Sequence, residues 1–187
     1  MLNKAELAKL KTVFLQGGII AYPTEAVYGL GCDPDNNQAI EDLLSLKHRP
    51  ADKGFILIAA SYDQLQPYID ESLIPEDKYQ AMILRWPGAI TQIVPAKKEL
   101  SKLLTGKFNS LAVRVSAHPD VIALCNYVNK PIISTSANLS GQLTAKTWQQ
   151  VAQIFDTQID YLVKGENLGL LRPSTIIDAI SGKVLRK

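Results

Sequence analysis

Pro131-Ile132-Ile133-Ser134-Thr135-Ser136-Ala137-Asn138-Leu139-Ser140-Gly141 is the stretch on which the reading of this 187-residue chain turns. It opens as a short apolar run led by Pro131, the pattern of a buried strand. Within one residue it changes to hydroxyls and an amide: Ser134, Thr135, Ser136, Asn138 and Ser140. A strand that changes so abruptly delivers polar groups to the rim of a sheet, and in open α/β sheets ligands bind at that rim. Small side chains also let a ligand approach backbone N–H groups, which suits phosphate. A Ser/Asn-rich turn that only caps the next helix would use the same residues, so both readings stand at this point.

Outward from that stretch, helical and strand patterns alternate. Asn3 can cap a helix carrying Leu7, Leu10 and Phe14 that stops at Gly17-Gly18. Ile19 to Tyr22 reads as a short buried strand, and Pro23 to Asp33 as a non-periodic segment with Gly29, Gly31 and Glu25. A helix starting at Asn36 or Asn37 bears Ile40, Leu43, Leu44 and Leu46 and ends in the basic loop Lys47 to Gly54. Phe55 to Ala60 is apolar throughout, which predicts a strand covered on both faces. Ser61 to Gln66 reads as a helical turn, and Pro75 as the first residue of a helix reaching Leu84. Further strands are predicted at Ala89 to Val94, Leu111 to Val115, Tyr161 to Val163 and Ser174 to Asp178, with helices from Pro119 and Thr147. Ser181-Gly182 turns the chain into a closing hairpin. The alternation predicts one α/β domain over residues 1–187 built on a mixed sheet.

Composition narrows the class. A hydrophobic fraction of 47% with 20% charged residues is that of an ordinary globular protein. The formal net charge of +2 is too small to mark a nucleic-acid binder by bulk charge. No apolar run approaches the ~18 residues of a membrane span, and the polar start Met1 to Glu6 lacks a signal-peptide core, so no membrane association and a cytoplasmic location are expected. Cys32 and Cys125 show no metal-ligand or redox spacing and read as reduced thiols, Cys125 within a helix face.

Polar signals recur at strand ends: Thr24-Glu25, then Lys47, Arg49 and Lys53, Arg114 inside an apolar strand, Ser134 to Asn138, Ser174, and Arg186. Singly, Lys47 to Lys53 reads as a solvated charge run and Arg114 as the partner of some carboxylate, because a buried unpaired guanidinium is costly. Jointly they describe a pocket for a polyanion. Walker, dinucleotide and nucleophile-elbow motifs are absent. The nearest candidate carboxylates for a metal are Glu25 and Asp33, which make no cluster. If a nucleoside triphosphate binds, lysines and arginines must neutralise it, with Mg²⁺ carried mainly by the phosphates.

Six segments in order carry a resemblance: Tyr22 to Asp33 (YPTEAVYGLGCD), Lys47-His48-Arg49-Pro50 with Lys53, Arg85-Trp86-Pro87-Gly88, Ala112 to Val115, Ser134 to Gly141, and Ser174 to Asp178. On these the chain resembles the YrdC/Sua5 family of threonylcarbamoyl-AMP synthases over nearly its full length. It is most similar to the short bacterial form, because it ends at Arg186-Lys187 where the longer form continues. The resemblance implies a twisted mixed α/β sheet around a large basic cavity, the YrdC/RibB-like fold. It implies a reaction in which L-threonine, bicarbonate and ATP give threonylcarbamoyl-AMP and pyrophosphate, other proteins then transferring the threonylcarbamoyl group to tRNA. It places Thr24, Arg114, Ser134 and Ser174 at threonine, with Arg114 on the carboxylate. Arg49, Lys53, Ser110, Ser136, Asn138, Thr144 and Arg186 fall at ATP, and Lys47, Arg49 and Lys53 form the catalytic cations; no metal ligand is implied. Two positions depart from the pattern: Ile58 stands where longer relatives carry a histidine, which predicts a more apolar threonine side, and Gly54 stands where a proline is common.

Two other classes share these residues. A double-stranded RNA or tRNA binder could use the same basic cavity, although its cations are not interleaved with stacking aromatics. A sugar-phosphate enzyme of the related dihydroxybutanone-phosphate synthase fold would want an acidic metal-gripping cluster.

Overall fold

The computed structural model describes residues 1–187. In chain order it contains α1 (Lys4–Leu15), β1 (Ile20–Pro23), β2 (Tyr28–Gly31), α2 (Asn37–Lys47), β3 (Ile56–Ala59), the short α3 (Tyr62–Leu65), α4 (Glu76–Ile83) and β4 (Ile90–Pro95). Then follow the short α5 (Lys102–Thr105), β5 (Ser110–Val115), α6 (Pro119–Val128), β6 (Ile132–Ser136), α7 (Trp148–Phe155), β7 (Tyr161–Leu162), β8 (Thr175–Asp178) and β9 (Val184–Arg186). All nine strands join one sheet in the order β7-β1-β2-β6-β3-β5-β4-β8-β9. The pairs β1/β7, β3/β5 and β4/β8 are parallel and the others antiparallel, so the sheet is mixed, as the alternation predicted.

Local chemistry fixes the helix ends. Asn3 accepts from Ala5 N and Glu6 N while Glu6 returns a bond to Asn3 N, a complete capping box. Asn36 caps α2 by accepting from Ala39 N, and His48 ends it in the left-handed conformation at φ 49°. Pro119 opens α6 and left-handed Asn129 closes it. Pro75 sits one residue outside α4, as its cap, and α5 is a helix that no sequence pattern announced.

The period-2 alternation of the strands sorts the core into two unequal parts. Leu57, Ala59, Val113, Val115 and Ile133 face a 29-residue cluster, packed under Ile40 and Leu43 of α2, Met82 of α4, and Val151 and Phe155 of α7. Their neighbours Ile58 and Ile132, with Ile20 and Tyr22, face the opposite side and meet Leu10 and Phe14 of α1 and Val121, Leu124 and Cys125 of α6. Leu10 and Phe14 are fully buried there, and burial stabilises the fold by about 2 kcal/mol for each such side chain. This second cluster holds only ten residues because α1 and α6 cover only part of that face. Further along the same face the sheet lies uncovered, and there Ile56, Ala112, Arg114, Ser134 and Ser136 line a cavity.

One strand was hidden in the sequence. The supposed loop Pro23 to Asp33 contains β2, which pairs with both β1 and β6. Its glycines are close-approach residues: a Cβ on Gly31 would lie 2.0 Å from the Ile133 carbonyl oxygen, and one on Gly29 would press on the Tyr22 ring at 3.2 Å. Ile58 also departs from expectation. It is fully buried in the α1/α6 core, and the β3 residue that reaches the cavity is Ile56.

Candidate functional site

The uncovered part of the sheet forms the floor of a cavity of about 400 Å³, within the range of small-molecule sites. Four cationic side chains line it, Arg49, Lys53, Arg114 and Arg186, against a single carboxylate, Glu25. They come from far-separated elements: the loop after α2, β5 and β9. In the sheet order β5 and β9 lie to one side of β6, whose Ser134, Thr135 and Ser136 also line the cavity, and the β1–β2 pair that carries Thr24 and Glu25 lies to the other. Of the residues the sequence pointed to, Thr24, Arg49, Lys53, Arg114, Ser134, Ser136, Thr144, Ser174 and Arg186 all meet here.

Arg114 and Glu25 form the most buried charged pair in the molecule. The guanidinium Nη1 lies 3.2 Å from Glu25 Oε2, with both side chains under one-tenth exposed. The other carboxylate oxygen, Oε1, accepts from Ser116 Oγ at 2.8 Å and from Ala117 N at 3.0 Å. Burial pushes the Glu25 carboxyl up; the Arg114 charge and the two hydrogen bonds outweigh it, so the carboxyl is held below its ordinary range. Glu25 Oε2 nonetheless receives no aligned hydrogen bond, and Arg114 Nε donates none. Asp33, the other carboxylate singled out in the sequence, pairs with Lys130 at 2.7 Å and does not line the cavity.

Beside this pair, Thr24 Oγ1 donates to Val27 O at 2.7 Å, which closes the tight turn into β2. Ser174 Oγ shares a 2.7 Å hydrogen bond with Thr91 Oγ1 and accepts from Arg186 Nη2 at 3.1 Å. Arg186 also grips Ser174 O through Nε and Nη2, at 3.1 and 2.8 Å. Thr91, fully buried at the base of this chain, was invisible in the sequence because it reads as an ordinary strand residue. Residues 165–170 strap the Thr24–Glu25 turn from outside the cavity lining. Leu168 N donates to Thr24 O, Leu170 N to Glu25 O, and Tyr28 Oη donates to Gly165 O at 2.6 Å.

At the other end, Arg49 Nη2 donates to Gly54 O at 2.8 Å and the guanidinium sits 5.2 Å over the Phe55 ring, while its Nε is buried without a partner. Lys53 has no carboxylate within ion-pair distance and is exposed. Gly54 adopts φ 60°, which proline cannot, and a Cβ there would meet Thr105 O at 2.8 Å. That is the local reason for the departure at this position.

Three expected residues stand elsewhere. Lys47 is only 2% exposed and lies beneath the rim. Its Nζ donates to the carbonyl oxygens of Ser136 and Asn138, the latter at 2.6 Å, and lies 3.3 Å from Asn138 Oδ1. Burial, with Arg49 close by, brings its pKa down to about 8. The side chain is thus consumed by the turn after β6 and is not among the cavity-lining residues. Asn138 is likewise used within that turn, accepting from Ser136 Oγ at 2.7 Å and donating to Gln142 O at 2.7 Å. Ser110 begins β5 opposite Pro95 and does not reach the cavity. A signal for Lys47 did exist: it lies four residues after Leu43 and seven after Ile40, on the buried stripe of α2. Both cysteines are buried and free, and no helix is long and apolar enough to cross a membrane.

Comparison with known proteins places this architecture. The Sua5/YciO/YrdC family model, described as "Telomere recombination", matches residues 12–187. A variant of Sua5 from P. abyssi is 31% identical with a TM-score of 0.88, over 95% of this chain and 54% of that chain. The crystal structure of P. abyssi Sua5 complexed with L-threonine is 31% identical with a TM-score of 0.86, over 95% and 52%. YciO from E. coli is 25% identical with a TM-score of 0.84, over 100% and 93%. The chain therefore spans about half the length of the Sua5 structures and nearly all of YciO. With the match running across almost every residue and the sheet and cavity in place, the chain belongs to the Sua5/YciO/YrdC family.

Proposed function

We propose that this protein is an L-threonylcarbamoyladenylate synthase, converting L-threonine, bicarbonate and ATP to threonylcarbamoyl-AMP and pyrophosphate. The product would be consumed by proteins that transfer the threonylcarbamoyl group to tRNA. The observation that carries this reading is the convergence of Arg49, Lys53, Arg114 and Arg186 on one cavity with a single carboxylate. Such a concave cluster suits a small polyanion together with a carboxylate-bearing partner. The inward-facing cations also favour a small ligand over a nucleic-acid duplex, which needs an exposed basic surface.

In this mechanism the threonine nitrogen bonds to the carbon of bicarbonate with loss of water and a proton, giving a carbamate. A carbamate oxygen then attacks the α-phosphorus as the bond to pyrophosphate breaks. Arg114 holds the amino acid's carboxylate as a planar fork, with Thr24, Ser134 and Ser174 beside it. Arg49, Lys53 and Arg186 face the phosphates, and charge building on the departing pyrophosphate draws on Arg49 and Lys53 most. Lys47, with Asn138, keeps the Ser136 turn in place. Mg²⁺ would be held mainly by the ATP phosphates and would add to the neutralisation of their charge, because the only carboxylate at the cavity, Glu25, is occupied by Arg114, Ser116 and Ala117.

Pyrophosphate release measured with threonine and bicarbonate omitted in turn tests the assignment. The expected result is release that needs both. Release indifferent to threonine overturns the reading, and retention of tRNA that weakens steeply with salt, without turnover, replaces it with RNA binding.

A further inference from the structure

We propose that Glu25 and Arg114 together form a receptor for the α-amino-acid zwitterion, in which Glu25 Oε2 holds the substrate's α-ammonium group and so selects amino acids over their hydroxy-acid counterparts. This rests on the reading of the cavity as an amino-acid site.

The argument starts from two atoms that the fold leaves unmet. Glu25 Oε2 and Arg114 Nε are buried at the cavity wall and take part in no hydrogen bond. A buried polar atom without a partner is costly, and native structures rarely keep one without a use. The rest of the pair is tied down. Ser116 Oγ and Ala117 N hold Oε1, so the carboxylate cannot swing away to satisfy Oε2 elsewhere. Ser116 is itself fully buried and shares its hydroxyl with His118 N, which fixes the clamp from behind.

The charges are spaced for one ligand class. Arg114 Nη1 and Glu25 Oε2 stand 3.2 Å apart. In an α-amino acid the ammonium and carboxylate are separated by a single carbon, so the two groups are also near neighbours. Laid against this pair in the opposite sense, the zwitterion closes a ring of four alternating charges, giving each protein group the partner it lacks. A ligand with a carboxylate alone would satisfy Arg114 and place a second anion beside Glu25. Recognition by like-charge rejection as well as attraction is the usual route to specificity.

The carboxylate is also in the right state. Because the Arg114 charge and two hydrogen bonds hold Glu25 below the ordinary carboxylate range, it stays ionised at neutral pH. An ionised, weakly basic carboxylate holds an ammonium group well and withdraws its proton poorly. Glu25 is therefore a binding group here, and the proton shed on carbamate formation leaves by another route.

Titration calorimetry on the whole protein decides this, using L-threonine and its α-hydroxy analogue. The wild-type protein should bind threonine at least about 30-fold more tightly, the worth of one charge-assisted hydrogen bond. In Glu25→Gln the preference should fall to about 3-fold or less, because a neutral amide oxygen replaces the anion. A preference undiminished in Glu25→Gln, or absent in the wild type while pyrophosphate release still requires threonine, overturns the receptor and leaves the synthase reading intact. If neither ligand binds the wild-type protein, both readings fall. Should Glu25→Gln not fold, the wild type alone decides through binding enthalpies in buffers of differing ionisation enthalpy. Enthalpies independent of buffer at neutral pH show the ammonium bound with its proton and support the receptor. Release of about one proton per threonine overturns it.

Discussion

Lys47 and Arg114 are cations buried to the same degree, 2% and 6% exposed, and they are used in opposite ways. Lys47 directs its ammonium at oxygens of Ser136 and Asn138, so its demand for hydrogen bonds is met by the turn after β6. Arg114 is met only by Glu25 and keeps Nε without a partner at the wall of the cavity. The difference separates two jobs that look identical in a list of buried charges. A cation closed off by backbone oxygens shapes the chain, whereas one left partly unmet beside a cavity is shaped for something else to complete it.

Removing the closed-off cation should have the largest effect, and on folding. Lys47→Met removes the charged donor shared by the Ser136 and Asn138 carbonyls, leaving Ser136 O only the Asn138 amide, and should lower unfolding stability by about 3 kcal/mol, read from the urea midpoint at unchanged slope. A pH signature accompanies this. With its pKa brought down to about 8, folded Lys47 releases its proton before the unfolded chain does. From there up to the unfolded value near ~10.4 the unfolded state holds more protons, so this residue makes stability rise with pH. The rise should vanish in Lys47→Met.

Arg114→Lys breaks the comparison from the other side. Its effect should fall on threonine, whose binding weakens by about 2 kcal/mol as a point charge replaces the planar fork, with folding changed less. Calorimetry and urea unfolding on one sample separate the two. Equal losses in binding and folding would mean that Arg114 is structural in the way Lys47 is.

A smaller effect appears at acid pH. Folded Glu25 has a depressed pKa, so its contribution is present above the unfolded value near ~4.3 and lost as pH falls through the folded one. In Arg114→Met burial acts without its main opponent. The folded pKa should then exceed the unfolded value, and the contribution reverses, falling as pH rises. A carboxyl-carbon NMR titration of Glu25 reads the direction in both proteins. Smallest of all, Ser174→Ala removes one of the three contacts that Arg186 makes with Ser174 and strands Thr91 Oγ1. Ligand affinity should drop by about 1 kcal/mol.

Much of this was legible from residue types alone. The cap at Asn3, the helix starts near Asn36 and Thr147, and the all-apolar β3 follow from local rules. The convergence of Arg49, Arg114 and Arg186 was expected from a basic loop beside a strand, an arginine inside an apolar strand and one at the end of the last strand. What escaped depended on contacts between distant segments. Strand β2 is written with glycines, which by themselves signal a turn; they are required because Ile133 O and the Tyr22 ring press against them. Lys47 belonged by charge to the loop and by helical position to the core, and position prevailed because the β6 turn supplies oxygens. Ile58 looked like a wall of the site because it stands where longer relatives carry a histidine, yet strand alternation gives the cavity Ile56 and assigns Ile58 to α1 and α6. Asn138 and Ser110 show the converse, polar groups near the cavity whose side chains do not line it.

The tie between residues 165–170 and the Thr24–Glu25 turn has a kinetic meaning. The amides of Leu168 and Leu170 are held by the carbonyls of Thr24 and Glu25, residues of the same turn whose side chains face the cavity. Deuterium exchange at those two amides therefore reports how often the Thr24–Glu25 turn parts from residues 165–170.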